Sequence, residues 1–209
     1  MIVEKLLYHI TDLNNLESIL QHGGLLAHNT IEEKSVEYEN IAHNSIQNKR
    51  TMKTVPLPPN GNLHDYVPFY FAPKSPMLYA IRKGQVEGYE HGQGHIIYLV
   101  SRTDIIHYAG LEYVFTDGHA IMGFTDFYKD LKHIDKIDWE VMQSKYWFDR
   151  EDDPDRKRRR QAEFLVHKFI PFDFILGFAV KNESIKLQVE NLIHKYDYDK
   201  FVAIRNWYY

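Results

Sequence analysis

Glu163 is the lone acid in RKRRRQAEFLV, residues 156–166, at the seam between a basic run and an apolar stretch. A carboxylate held there and aimed into a cleft would stabilise a developing positive charge or hold a hydroxyl. Strand alternation allows another arrangement, with Ala162 and Phe164 inward and Glu163 toward solvent. The run Arg156, Lys157, Arg158, Arg159 and Arg160 divides in the same way. It is either a phosphate-contacting patch or a solvated helix paired with the preceding acids, as in an Asp152–Arg156 pair. His9 ends the first apolar stretch just before a helix start. It could hydrogen-bond a ligand near that anion-favouring terminus, or serve as a core or capping histidine. Arg50, with Lys49 and Lys53 nearby, faces an anionic substrate or lies on the surface.

Other chemistries find little support. His91 and His95 have an H-x-x-x-H spacing, which brings both rings to one face on a helix. Gly92 and Gly94 disfavour a helix there, and His64 and His119 lie elsewhere, so no metal is expected. The glycine-rich EGYEHGQGH (87–95) lacks the G-x-x-x-x-G-K-[ST] phosphate loop, and G-x-S-x-G is absent. With no cysteine, disulfides and zinc–thiolate sites are excluded.

The elements that must position these groups are short. LLYHI (6–10) suits a first strand, and TDLNNLESILQHGG (11–24) a capped helix stopped by Gly23 and Gly24. Residues 32–50 read as partly helical and partly mobile. VPLPPNG (55–61) forms a turn-rich loop. DYVPFYFA (65–72) is a strand whose Pro68 suggests an edge or a bulge. Ser75 and Pro76 open a helix over 75–84. IIYLV (96–100) is a buried strand, RTDIIHYA (102–109) a short helix and EYVFTDG (112–118) a strand with its turn. Residues 120–148 mix apolar and charged positions in a helical manner. QAEFLVHKF (161–169) and FDFILGFAV (172–180) are strands, ESIKLQVENLIHKY (183–196) is a helix, and KFVAIRNWYY could add a last strand. Strands and helices alternate without a regular βαβ beat, which predicts an α+β fold with a largely antiparallel sheet.

The chain has 209 residues, of which 44% are hydrophobic and 14% aromatic, enough for one domain spanning 1–209 with a real core. Its net charge is −4, so nucleic acid would have to be held by local basic patches and stacking rings. Candidates are Lys49, Lys53, Lys74, Arg82 and the 156–160 run, with Tyr70, Phe71, Tyr146 and Trp147. MIVEKLLYHI (1–10) is too short and charged for a signal peptide, and no apolar run approaches the ~20 residues of a membrane helix. The expectation is a soluble, cytoplasmic protein.

Taken in order, YHIT, HGGLL, NKRTMKTVPLPPNGNLHDYVPFYFAPKSPMLYAI (48–81), VFTDGHA (114–120), IDW (137–139) and RRQAEFLV (159–166) resemble the DarT family of DNA ADP-ribosyltransferase toxins. The resemblance covers almost the whole chain. It implies an ADP-ribosyltransferase (PARP-like) fold, with two small, mostly antiparallel sheets flanked by helices around an NAD cleft. It also implies sequence-dependent transfer of ADP-ribose from NAD to a base of single-stranded DNA, typically thymine, in a bacterial cytoplasm. A macrodomain antitoxin of the DarG type would be the partner. In this reading Glu163 and Arg50 are catalytic, and His9, Thr11, Gly23, Leu25 and Arg50 bind NAD. His119, Met77, Tyr146 and Arg158 lie near the DNA. Arg50 either favours the anion of the thymine ring nitrogen or holds the NAD pyrophosphate. A transferase acting on protein or RNA, and a non-catalytic nucleic-acid-binding module on the same fold, are the alternatives.

Overall fold

The structure is a computed structural model that describes residues 4–209; residues 1–3, the start of the segment read against a signal peptide, lie outside the described residues. β1 (Leu6–Asp12) runs into a 3-10 turn and α1 (Leu16–Gln21). The helix expected over 11–24 is therefore shorter. Thr11 and Asp12 stay in the strand because they pair with Ile97 and Ile96. Asp12 then caps the turn, accepting from the Asn14 N–H at 2.8 Å. β2 (Gly24–Leu26), α2 (His28–Glu33) and α3 (Asn44–Met52) follow, then β3 (Tyr66–Tyr70) and α4 (Pro76–Arg82). Ser75 caps α4 with Pro76 at its first position, as the sequence signals.

Next come β4 (Ile96–Arg102), α5 (Thr103–Tyr108), β5 (Tyr113–Thr116), β6 (Phe127–Tyr128) and α6 (Trp139–Gln143). The helical pattern of 120–148 breaks into short turns, because Asp130 and Asp138 each cap a new start, on Lys132 and Val141. Its apolar residues Leu131, Ile134, Ile137 and Met142 are nevertheless buried. α7 (Arg156–Arg159) leads into β7 (Glu163–His167), β8 (Phe169–Pro171), β9 (Gly177–Val180), α8 (Glu183–Lys195) and β10 (Phe201–Ile204). Only the end of the strand expected over 172–180 is extended. Phe172–Phe174 close a turn through Ile175 N–H to the Phe172 carbonyl.

The architecture is α+β and mostly antiparallel, but the strands divide as eight and two rather than into two small sheets. The large sheet has the order β10-β9-β4-β1-β3-β7-β5-β6, and β2 pairs with β8. β9 and β10 are parallel, joined through α8. One face carries Leu7, Phe69, Ile97, Phe164 and Val166, covered by Leu16 and Leu20 of α1 and Ile185, Val189 and Ile193 of α8. The other face has two separate apolar clusters, around Tyr98 and around Leu165. No helix among the described residues is long and apolar enough to cross a membrane.

The sheet has a seam. β1 pairs with β4 along its whole length but meets β3 only at Tyr8 and Tyr70. Pro68 lies in an interior strand, not at an edge, and has no N–H to offer β1. The two strands part at that point. The Pro68 carbonyl instead takes the Nδ1–H of His9 at 2.8 Å. The cleft described next opens beside this gap.

Candidate active site

Glu163 begins β7 opposite Tyr70, the last residue of β3. Alternation is as expected, since Phe164 and Val166 enter the main core. The opposite face is not solvent. Leu165 on that face packs with Val55, Leu63 and Ala120, and Glu163 is 2% exposed. An isolated carboxylate there would be costly. Oε2 accepts from Arg50 Nη1 at 2.8 Å, and Oε1 accepts from the Ala120 N–H at 3.1 Å. Its backbone N–H donates to Thr116 Oγ1 at 3.0 Å, which ties the start of β7 to the end of β5.

Arg50 sits in the last turn of α3, with an 11% exposed side chain. Its Nη1 is committed to Glu163, while Nη2 is buried with no partner. A buried unpaired guanidinium nitrogen is costly unless a ligand accepts from it. The pair combines a fixed anion with a spare cationic donor.

Along the seam, burial pushes the His9 pKa down to about 4. The ring is therefore neutral at pH 7. Because the Pro68 carbonyl can only accept, the proton is on Nδ1, and Nε2 presents a lone pair to a ligand donor. A cavity of about 210 Å³ runs from this ring past Thr11 and Leu25 to Arg50 and Glu163. Gly23 is not on its wall. It takes a left-handed turn after α1 (φ 70°), and the neighbouring Gly24 lines the cavity instead. A Cβ on Gly24 would collide with the Ile170 carbonyl of β8. Thr11 is held by Asn15, whose Nδ2 donates to its hydroxyl at 2.9 Å. Asn15 also accepts from the Glu39 N–H at 2.6 Å and donates to the Glu39 carbonyl at 2.9 Å. That clamp draws the irregular 34–43 stretch over the cavity.

A second cavity, of about 490 Å³, lies beyond Tyr70, Met77 and His119, which line both. Trp147, Phe148 and Tyr79 supply aromatic walls, and Lys157 and Gln161 a polar one. Burial lowers the His119 pKa, opposed by the nearby Glu163 charge. Burial, then the Glu163 charge, raises that of Tyr70, whose hydroxyl donates to the weak acceptor Met77 Sδ at 3.6 Å. Tyr146 is 65% exposed and lies outside both linings.

The basic run is not a solvated helix face. Arg156 and Arg160 are buried. Arg160 donates to four backbone carbonyls, of Lys74 at 2.8 Å, Val141 at 2.6 Å, and Met142 and Ser144 at 3.0 Å. These neutralise the C-terminal end of α6, although burial brings the Arg160 pKa down to about 10. Arg158 binds Asp155 at 2.7 Å and Asp117 at 3.1 Å. Its backbone carbonyl accepts from His119 N–H at 3.0 Å, so it fixes the loop that carries both His119 and the Ala120 donor. Arg156 pairs with Asp153 at 3.4 Å, not with Asp152. Of the run, Lys157 lines the second cavity.

Glu163, Arg50, His9, Thr11 and Leu25 thus converge on one cleft, with His119 and Met77 at its junction with the second cavity. Sequence reasoning missed Asn15, Thr116 and the Ala120 amide. An Asn just inside a helix start reads as a cap, and a backbone donor leaves no mark on residue type.

The family model "DarT: ssDNA thymidine ADP-ribosyltransferase, DarT" matches residues 8–209. A DNA ADP-ribosyl transferase of Thermus sp. (strain 2.9) is 43% identical over 206 residues, which is 97% of this chain and 95% of that protein. The structure of Thermus sp. 2.9 DarT in complex with ADP-ribosylated ssDNA superposes with a TM-score of 0.92 at 40% identity, covering 98% of this chain and 96% of that one. The same protein in complex with NAD+ gives 0.88 at 39% identity, covering 98% and 97%. A Thermosipho africanus protein that fuses a DNA ADP-ribosyl transferase to a DNA ADP-ribosyl glycohydrolase is 31% identical over 194 residues, 90% of this chain and 45% of that protein.

Proposed function

This chain belongs to the DarT family of ssDNA thymidine ADP-ribosyltransferases, and from that premise we propose how its residues carry out the transfer. It moves ADP-ribose from NAD to a thymine of single-stranded DNA, with a preference for sequence. The observation that carries the assignment of roles is the buried Arg50–Glu163 pair. It lines the first cavity, beside His119, Met77 and Tyr70 that line both, and keeps one guanidinium nitrogen free.

NAD occupies the cavity along β1 and β2. The neutral His9 accepts from one of its hydroxyl or amide groups, and Thr11 and the Gly24–Leu25 backbone form the wall. As the bond from nicotinamide nitrogen to ribose C1′ breaks, nicotinamide keeps the electron pair and positive charge builds on the ribose. Glu163 stabilises that charge and accepts from a ribose hydroxyl; the Ala120 N–H and Arg50 hold it in orientation. A ring nitrogen of thymine loses its proton to water and, as the anion, bonds to C1′. Arg50 Nη2 stabilises the base anion. Its ion pair with Glu163 supports this role over holding the pyrophosphate.

The strand enters through the second cavity. The target base reaches the junction at His119, Met77 and Tyr70, while Trp147, Phe148 and Tyr79 stack neighbouring bases. Tyr146 offers a further ring at the rim. Lys157 meets phosphate, and Arg158 contributes by fixing the 117–125 loop. The 1–209 chain acts as one catalytic domain, a reading supported by one eight-stranded sheet that holds both the first strand, β1, and the last, β10. The fused glycohydrolase of the T. africanus relative supports a DarG-type antitoxin that removes the modification. Dependence on NAD and DNA supports a cytoplasmic location.

The test is mass spectrometry of mixed-sequence single-stranded oligonucleotides after incubation with NAD. One ADP-ribose is expected on thymine-containing oligonucleotides, and none with Glu163→Gln. Full activity in that variant, or modification of RNA or protein but not DNA, would overturn the assignment.

A further inference from the structure

Asp12 is wholly buried at the end of β1, yet it lines neither cavity. Its ion-pair partners are two histidines of the 87–95 loop. His91 Nδ1 lies 3.1 Å from Oδ2 and His95 Nδ1 3.8 Å from Oδ1. The loop needs no helix to bring the rings together. Gly88 and Gly92 take left-handed φ values of 80° and 65°, and a single 3-10 turn follows, leaving the ring centroids 5.0 Å apart. The spacing argument against a shared ligand therefore fails in three dimensions.

We propose that Asp12, His91 and His95 bind one divalent transition-metal ion of the zinc class, through one carboxylate oxygen and two imidazole nitrogens, with water completing the shell. Candidate donor atoms of the three residues lie within 4.8 Å of one another. Metal–ligand bonds of ~2.1 Å in a tetrahedron place donors ~3.4 Å apart, and the observed 3.1 Å to Oδ2 and 3.8 Å to Oδ1, one to each carboxylate oxygen, lie close to that spacing. The donor set, imidazole with carboxylate, suits zinc and its borderline neighbours. A proton shared between His91 and Asp12 accounts for half of the cluster only. His95 Nδ1 is buried, too far from Asp12 for a hydrogen bond, and has no other partner. A metal ion gives that nitrogen a partner.

The outer contacts also fit. The Tyr89 hydroxyl donates to Asp12 Oδ2 at 2.6 Å and the Asn14 N–H to Oδ1 at 2.8 Å, which fixes the carboxylate orientation. The histidine side chains are 36% and 40% exposed, leaving a path for the ion and its water. Bound metal would fasten the 87–95 loop to the strand end next to Thr11, whose partner Asn15 holds the 34–43 stretch. The role is structural and separate from the transfer chemistry.

The experiment uses the full chain stripped with EDTA and titrated with Co2+, then Zn2+. One equivalent of Co2+ with visible d–d absorption, displaced by Zn2+, is expected, together with a rise in Tm. Both should vanish in His91→Ala and in His95→Ala. Far-UV circular dichroism verifies that these loop variants remain folded. No stoichiometric uptake would overturn the proposal. So would uptake unchanged in His95→Ala, which would leave a hydrogen-bonded His91–Asp12 pair or a site at other histidines.

Discussion

Two groups of buried charge flank the start of β7, and they differ in what they leave unused. In α7 and just after it, Arg158, Arg159 and Arg160 spend their guanidinium groups on Asp117, Asp153, Asp155, Asp138 and the end of α6. Arg156 keeps a bare Nε, but it lines neither cavity. In the cleft, Arg50 makes one ion pair and keeps a bare, buried Nη2 beside the first cavity, which it lines. The longer basic run is mostly spent on the protein itself, and the single arginine is the one to which the proposed function gives a reactive role. Charge density locates neither role; unspent donors next to open space do.

Four experiments sharpen that contrast. The largest effect belongs to Glu163→Gln, which keeps the shape and removes the charge. Transfer to an oligonucleotide should fall at least ~100-fold, about 3 kcal/mol of transition-state stabilisation. A loss below tenfold would move the reacting centre elsewhere.

The second is a pH profile of stability. His9 and His64 both titrate near 4 in the folded protein because burial disfavours their charged forms, against the ordinary 6.5. The unfolded chain binds more protons between those values. Stability is full above pH 6.5 and falls as pH drops toward 4, by at most about 3 kcal/mol per histidine. Urea melts of His9→Gln should show a shallower fall across that window than wild type. An unchanged slope would mean that His9 is not held neutral by burial.

Arg160→Met tests the scaffold side. It orphans four carbonyls, and urea melts should report about 2 kcal/mol of lost stability, with activity per folded molecule reduced less than in Glu163→Gln. The reverse ranking would put Arg160 in the chemistry. The smallest effect is expected from Lys157→Ala, the member of the run that lines a cavity. Its KM for oligonucleotide should rise a few-fold, its salt dependence should weaken by about one counterion, and its Tm should stay within a degree or two.

Much of this was legible in the residues. Ser75–Pro76 announced α4, and the apolar spacing of Ile185, Val189 and Ile193 announced α8. The motifs around His9, Arg50 and Glu163 pointed to one family and one site. Other features were not legible, for definite reasons. Asp130 and Asp138 broke a helical pattern through local caps, which compete with helix at low cost. Pro68 read as an edge or a bulge because the chain alone does not say that its neighbour β1 swerves away. The arginines read as solvated because a charge run usually is; here the carbonyl end of α6 and four aspartates converge on them.

Sequence alone settled the chemical types: an acid, a cation and a histidine, in an α+β chain of one family. Those depend on residue identity and on local spacing. Tertiary structure alone settled which charges are spent and which are free. Burial, the seam at Pro68, and the approach of residues 113 positions apart, Arg50 and Glu163, decide that. Hydrogen-bond saturation is a property of every neighbour at once, and no single stretch of the chain encodes it.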